Sequence, residues 1–241
     1  MSDYCTDVKN SNIKAAWQGQ AECLDCGIRD LVLFADLEEN DFHLIHQPID
    51  DLRFDIGAVM YHAGEQGSAL YTVRSGLVKL VQYLPDGGQR IVRLLRQGDV
   101  AGLEILLGQP YQHTAIVLQP VQACRLPRQV VETLSTETPR IHQQLLKRWQ
   151  RSLAEADAWL TELSTGTARA RVARLLLRLV GNDPQRCCLL FSREDMGAML
   201  GITTETASRI IAEFKRSGVA KEIQPHVLQC DLIALKKIAE E

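Results

Sequence analysis

The residues best suited to chemistry are Thr204, Glu205, Ser208 and Arg209, in the run Thr203-Thr204-Glu205-Thr206-Ala207-Ser208-Arg209. An arginine donates two hydrogen bonds to O6 and N7 of guanine, a glutamate accepts from N4 of cytosine, and a serine hydroxyl reaches a base or a phosphate. Lys215 and Arg216, a turn or more further on, suit backbone phosphates. The run follows Met196-Gly197-Ala198-Met199-Leu200-Gly201-Ile202, which reads as a helix ending in a tight glycine turn. A second helix opening with small polar residues and one arginine is how a helix-turn-helix presents side chains to the major groove. The implied partner is double-stranded DNA.

Cysteine is the second chemistry-bearing type. The chain has seven, with no export-like start, which points to a reducing cytoplasm where thiols bind metal, react or pack. Cys23-Leu24-Asp25-Cys26 is a C-x-x-C pair, and Cys124 lies far along the chain. Alone, such a pair marks zinc, a redox couple or descent from a cluster-binding ancestor. Cys187, Cys188 and Cys230 read as buried hydrophobes; adjacent Cys187 and Cys188 would project to opposite sides of a strand. His43, His46 and His62 form no recognisable ligand set. No nucleophile–base constellation, phosphate loop or metal-hydrolase spacing is present, so the reading is of a non-enzyme. The rival is a thiol redox enzyme using Cys23 and Cys26, which would want a βαβ context that is absent.

The elements that must position the DNA-reading residues follow from capping and periodicity. Ser192 is an N-cap with Asp195 three residues on, Ala198 and Leu200 face the core, Gly201 makes the turn and Thr203 caps the next helix. That helix buries Ala207, Ile210, Ile211 and Phe214 and ends near Ser217-Gly218. Residues 219–223 and 226–230 read as a small hairpin wing. Upstream, Ala168 to Val180 is amphipathic, with Val172, Leu175, Leu176 and Leu179 inward and Arg169, Arg171, Arg174 and Arg178 outward as a solvated face. In residues 140–164, Leu146, Trp149, Leu153, Ala156, Leu160 and Leu163 fall at alternating steps of three and four, a heptad seam. The seam packs either on the chain's own β domain or, as favoured here, on a second copy, since two-fold symmetry suits a reader of palindromes.

From Ile56 to Pro127 the texture is β: Gly57–Tyr61, Leu70–Val73, Leu77–Val81 and Ile91–Leu95, with turns at Ala63-Gly64-Glu65, Arg74-Ser75-Gly76, Pro85-Asp86-Gly87-Gly88 and Gln97-Gly98-Asp99. Short strands at close spacing with glycine turns give a barrel or roll. Residues 21–50 read as short helices carrying Leu31, Leu33, Phe34, Leu37, Phe42, Leu44 and Ile45, and residues 1–20 as a flexible N-terminus. The expected architecture is α+β: a sensor domain over 21–137, a dimerisation helix over 138–164 and a winged helix-turn-helix over 165–241.

Hydrophobic content of 46% and charged content of 24% fit a globular protein. No run of about 18 apolar residues is present, so no membrane span is expected. The net charge of −3 is unevenly spread: residues 166–241 hold 12 Lys+Arg and 9 Asp+Glu, and the rest hold 15 and 21. A mildly basic module joined to an acidic one suits a two-domain regulator.

A roll, a long helix and a winged helix-turn-helix, in that order, resemble the catabolite activator / fumarate–nitrate reduction regulator (Crp/Fnr) family of bacterial transcription factors over about residues 20–240. The specific marks are Gly98-Asp99-Val100-Ala101-Gly102 and Glu205-Thr206-Ala207-Ser208-Arg209, the latter similar to the E-x-x-S-R signature of the fumarate–nitrate branch. The resemblance implies that Glu205, Ser208 and Arg209 read TTGAT-type half-sites in an inverted repeat. It also implies contact between RNA polymerase and surfaces such as the hairpin around Asp86, hence activation. In the cyclic-nucleotide branch a Gly-Glu pair and an Arg-Ser pair hold the ribose and phosphate; here the matching positions are Gly102-Leu103 and His113-Thr114, so cyclic AMP is not expected. The resemblance further implies an oxygen-labile 4Fe–4S cluster. Cys23, Cys26 and Cys124 match three of its four cysteines, and Val32 stands at the fourth, where Asp25, Asp30, Asp36 or Cys5 would have to substitute. Without a cluster, the signal would be haem, nitric oxide or another small effector in the roll.

Overall fold

The computed structural model describes residues 49–181 and 183–241. The short helices expected over residues 21–50 lie outside the described residues, apart from Ile49 and Asp50, as do residues 1–20. The chain divides into two compact units, the first holding most of the described residues up to Leu153 and the second holding those from Ala154 together with Tyr83–Val92.

In the N-terminal half, β1 (Asp50–Phe54), β3 (Ala69–Tyr83), β4 (Gln89–Leu95) and β6 (Thr114–Pro127) form a sheet in the order β1-β6-β3-β4. The short strands β2 (Val59–Tyr61) and β5 (Val100–Ala101) pair with β6 and β3. Thus the expected roll is built around two long strands. The expected turn at Arg74-Ser75-Gly76 is not a turn: β3 runs straight through it, joining the two separate strands read from the sequence. What the glycine marks is a run of register shifts against β6 between Val73 and Val78. Gly76 has φ +86°, and a Cβ there would collide with the carbonyl of Pro120. A bulge and a turn ask for the same backbone angle, so the residue type alone does not separate them. The turn at Gln97-Gly98-Asp99 is as expected, locked by Gly98 N donating to Val73 O (2.8 Å) and Val73 N donating to Asp99 O (2.9 Å).

Two helices follow. The first, α1 (Arg128–Glu137), has no counterpart among the elements expected from the sequence and buries Val130, Val131 and Leu134. The second, α2 (Pro139–Leu163), is the heptad helix. Within the first unit it buries Ile141 and Leu145, and its polar side is tied to the Gly98–Asp99 turn. Arg148 donates to the Gly98 carbonyl at 2.9 Å, and Arg151 pairs with Asp99 at 3.1 Å.

In the second unit, α3 (Ala168–Val180), α4 (Arg193–Leu200), α5 (Thr204–Arg216) and α6 (Leu232–Ala239) pack with a three-stranded sheet, β7-β9-β8, made by β7 (Cys187–Leu189), β8 (Ala220–Gln224) and β9 (Val227–Cys230). The core includes Leu175, Leu176, Met199, Leu200, Phe214, Leu228 and Leu235, all fully buried. The arginines of α3 are not the solvated face expected from their spacing. Arg169 pairs with Glu213 and Glu241, and Arg171 donates to the Leu200 carbonyl. Arg174 donates to the carbonyls of Ala239, Glu162 and Thr165, and Arg178 pairs with Glu162 while lying over the Trp159 ring. Arg171 and Arg174 satisfy carbonyls left open at helix ends, and Arg169 and Arg178 pair with carboxylates, none of which hydrophobic periodicity reveals.

Candidate nucleic-acid interface

The interface is assembled from two caps and one close approach. Ser192 Oγ accepts from the Asp195 N–H at 3.0 Å, starting α4. The helix closes on Gly201, which is left-handed at φ 62° and ψ 43°. Gly201 N and Ile202 N both donate to the Gly197 carbonyl, at 2.8 and 3.2 Å. Thr203 Oγ1 then accepts from Thr206 N at 3.2 Å and starts α5. Gly197 is the tightest backbone approach of the motif: a Cβ there would lie 2.7 Å from the Ile202 carbonyl oxygen, so α4 and the turn approach to a distance that only a hydrogen allows.

Around α5 the side chains sort by face. Ala207, Ile210, Ile211 and Phe214 are buried, and Thr204, Glu205, Ser208, Arg209 and Arg216 are exposed. All four residues expected at base edges therefore stand on one solvent-facing strip at the start of the helix. The Glu205 carboxyl is held below the usual carboxylate range by hydrogen bonds to its own N–H and to Thr203 at the helix start, so it is an acceptor at neutral pH. Lys215 differs from expectation in one respect: its ammonium is paired with Glu222 of β8, whose carboxylate also accepts from His226 N at 3.1 Å. That pair ties α5 to the β8–β9 hairpin, which turns at His226 with φ 63°.

The expected seam of α2 is only partly a seam. Leu146, Leu153 and Leu160 are 56, 64 and 63% exposed and Trp149 is 39% exposed, a large apolar stripe without cover in the single chain; Ala156 is half-buried. Leu163, expected to continue the seam, is wholly buried in its own chain. The stripe ends at Leu160, because the last turn of α2 turns the Leu163 side chain into the core.

In the roll, the positions matching a cyclic-nucleotide cradle are filled by the chain itself. The Tyr111 ring covers Gly67 and Gly102: a Cβ on Gly102 would meet Tyr111 Cε1 at 2.8 Å, and one on Gly67 would meet Tyr111 Cζ at 2.6 Å. The ring stacks on Tyr61 with centroids 3.8 Å apart, and its hydroxyl donates to the Ala69 carbonyl. Burial pushes the Tyr61 and Tyr111 phenols up, so both stay neutral. Glu104 is turned away from a ligand role, accepting from Gln112 N at 3.1 Å. His113, at the position of the phosphate-binding arginine, is lowered by burial and is therefore neutral and a poor anion ligand.

Of the cysteine set, Cys124 is described: it lies on β6, is 3% exposed and stands opposite Asp51 of β1 and Thr72 of β3. Thr72 is fully buried, and its hydroxyl has no hydrogen-bond partner. A buried thiol beside an unpartnered O–H donor suits a sulfide-rich group, whose sulfurs accept such bonds. Cys5, Cys23, Cys26, Asp25, Asp30, Val32 and Asp36 lie outside the described residues. Among the described residues no three His, Cys, Asp or Glu side chains converge as a metal site.

Known proteins share both modules. Residues 51–137 match the profile of the cyclic nucleotide-binding domain, and residues 170–238 match that of the Crp-like helix-turn-helix domain. The fumarate and nitrate reduction regulatory protein of Vibrio cholerae is 27% identical over 204 residues, covering 82% of each chain. The transcriptional activator protein FnrA of Stutzerimonas stutzeri is 26% identical over 237 residues, covering 95% of this chain and 97% of that one. Among solved structures, a CRP-family transcriptional regulator from Thermus thermophilus aligns with a TM-score of 0.69 at 27% identity, over 79% of this chain and 97% of that chain.

Gly197→Ala is expected to push the turn away from α4 and cost about 1–3 kcal/mol by overpacking. Urea unfolding of the variant checks this; an unchanged midpoint with unchanged DNA affinity would contradict the role given to the close approach.

Proposed function

The chain belongs to the Crp/Fnr family of DNA-binding transcription regulators, and we propose that it acts as a homodimer on an inverted repeat of TTGAT-like half-sites. The observation that carries this reading is the sorting of α5, with Thr204, Glu205, Ser208 and Arg209 in solvent and an apolar face locked into the winged unit. In this reading Arg209 takes a guanine, Glu205 a cytosine amino group, and Ser208 and Thr204 the neighbouring base edge or phosphate. Arg216 holds backbone phosphate, and Lys215 does so while positioned by Glu222. The second copy covers Leu146, Trp149, Leu153, Ala156 and Leu160. Two-fold symmetry then presents two copies of α5 about 34 Å apart, one turn of the double helix. The protein works in the cytoplasm as an activator that contacts RNA polymerase; among the described residues no helix is long and apolar enough to cross a membrane.

Cyclic AMP is not the effector in this reading. Tyr111 occupies the cradle, and neutral His113 replaces the guanidinium that a cyclic phosphate needs. The signal enters instead through Cys23, Cys26 and Cys124, which would hold three corners of a 4Fe–4S cluster with a non-cysteine fourth ligand. Such a group would supply an oxygen-labile redox centre. The buried Cys124 thiol and the unpartnered Thr72 hydroxyl support this placement. Val32 at the fourth corner favours a second reading, in which the same regulator carries no cluster and responds to haem, nitric oxide or another small ligand.

Arg209→Ala is expected to weaken binding to the preferred duplex by roughly 1–3 kcal/mol and to relax its guanine preference. Fluorescence anisotropy on the cognate and base-substituted duplexes measures both; an equal loss on random DNA would remove Arg209 from base reading. For the signal, protein purified without oxygen is expected to contain iron and labile sulfide in near-stoichiometric amount, bleached by air. Protein with neither, and with DNA affinity intact, would leave the regulator standing and exclude the cluster.

A further inference from the structure

The winged unit contains three cysteines, and two of them share one face of its sheet. Cys188 is the central residue of β7 and stands opposite Leu228 of β9. Cys230 lies two residues beyond Leu228, hence on the same face of the sheet and diagonal to Cys188. The two side chains are 5 and 3% exposed and lie side by side on the buried face of the sheet. Cys187 points to the opposite face and is outside the pair.

The position of the pair gives it leverage. β7 is three residues long and forms the edge of the sheet, so little holds it in place. Beyond it, Leu190 N donates to His226 O at 2.7 Å, buried Leu190 and Phe191 follow, and Ser192 then caps α4. Diagonal residues on antiparallel strands stand about 7–8 Å apart, whereas a disulfide requires Cα atoms within roughly 7 Å. Bonding the two sulfurs therefore draws β7 along β9 and pulls on the cap that starts the helix-turn-helix. Cys230 stands in the wall of a cleft of about 790 Å³, together with Arg186, Lys221, Gln229 and Ile233. The neighbouring Cys188 thiol lowers the Cys230 thiol from its usual value, which makes Cys230 the better nucleophile of the two.

We propose that Cys188 and Cys230 form a reversible disulfide on reaction with a hydroperoxide, and that this bond releases the winged unit from DNA. The Cys230 sulfur attacks the peroxide: the O–O bond breaks, an S–O bond forms, and hydroxide leaves to be protonated to water. Cys188 then attacks that sulfur, its proton passing to the departing oxygen; an S–S bond forms, the S–O bond breaks and a second water leaves. Two thiols are oxidised by two electrons and one peroxide is reduced. A dithiol reductant reverses the step.

The test uses the full chain, reduced and then exposed to hydrogen peroxide, with alkylation and peptide mass spectrometry to map thiols. The expected result is a Cys188–Cys230 cross-link and faster amide exchange over residues 190–196. Affinity for a TTGAT-type duplex should fall by at least about tenfold and recover with dithiothreitol. Cys187→Ser keeps the response and Cys230→Ala abolishes it; if Cys230→Ala does not fold, the map and the exchange of the unsubstituted chain decide. The mapping and exchange arms do not depend on the half-site assignment. Cys188 and Cys230 alkylated separately after oxidation, or a cross-link that changes neither exchange nor DNA affinity, would overturn the proposal.

Discussion

Between α4 and α5 the backbone comes so close that the Ile202 carbonyl rests where a Cβ of residue 197 would sit. Gly201 N and Ile202 N both bond the Gly197 carbonyl, so the chain leaves one helix and enters the next within three residues. The angle between the two helices is set there. Its consequences run outward: Thr203 is placed to cap α5, Phe214 and Ile211 enter the core, and the opposite face with Glu205, Ser208 and Arg209 stays in water. The α3 arginines hold the same frame from behind, Arg171 on the Leu200 carbonyl and Arg169 on Glu213. A base-reading surface needs this rigidity, because bidentate hydrogen bonds tolerate little displacement of the helix that carries them.

The roll carries a different constraint. Gly102, at a position that matches the nucleotide-binding branch, lies under the Tyr111 ring, as does Gly67, and the Tyr111 hydroxyl is anchored to Ala69. Opening that space would unstack Tyr111 from Tyr61 and break a buried hydrogen bond. Beside the buried Ile141 and Leu145, α2 is tied to the Gly98–Asp99 turn by Arg148 and Arg151, and its apolar stripe from Leu146 to Leu160 is left to water. Covering a leucine is worth roughly 1.5–3 kcal/mol, so a stripe of this kind suits a second copy of the helix. In the proposed dimer, movement of the Gly98–Asp99 turn would bear directly on the helix that forms the interface.

Much of this was legible in the sequence because it rests on local rules. Ser192 and Thr203 announced their caps, Gly201 its left-handed turn, and the spacing of Ala207, Ile210, Ile211 and Phe214 the buried face of α5. What escaped depends on partners distant in sequence. The α3 arginines looked solvated because nothing in their spacing shows the carbonyls of Leu200 and Ala239 arriving from elsewhere. Gly76 looked like a turn because the long partner strand β6 could not be foreseen. Leu163 fits the heptad count but belongs to the core. Tyr111 gave no sign that it would fill the cradle, and Cys188 and Cys230 meet only through the register of β7 on β9.

The central claim is that a two-fold pair of α5 helices reads two half-sites. Selection of bound duplexes from a random-sequence pool by the full-length protein tests it most directly. The account predicts enrichment of an inverted repeat whose half-site centres are about 10 base pairs apart. Enrichment of a single, unrepeated element, or of no motif above the starting pool, would contradict it.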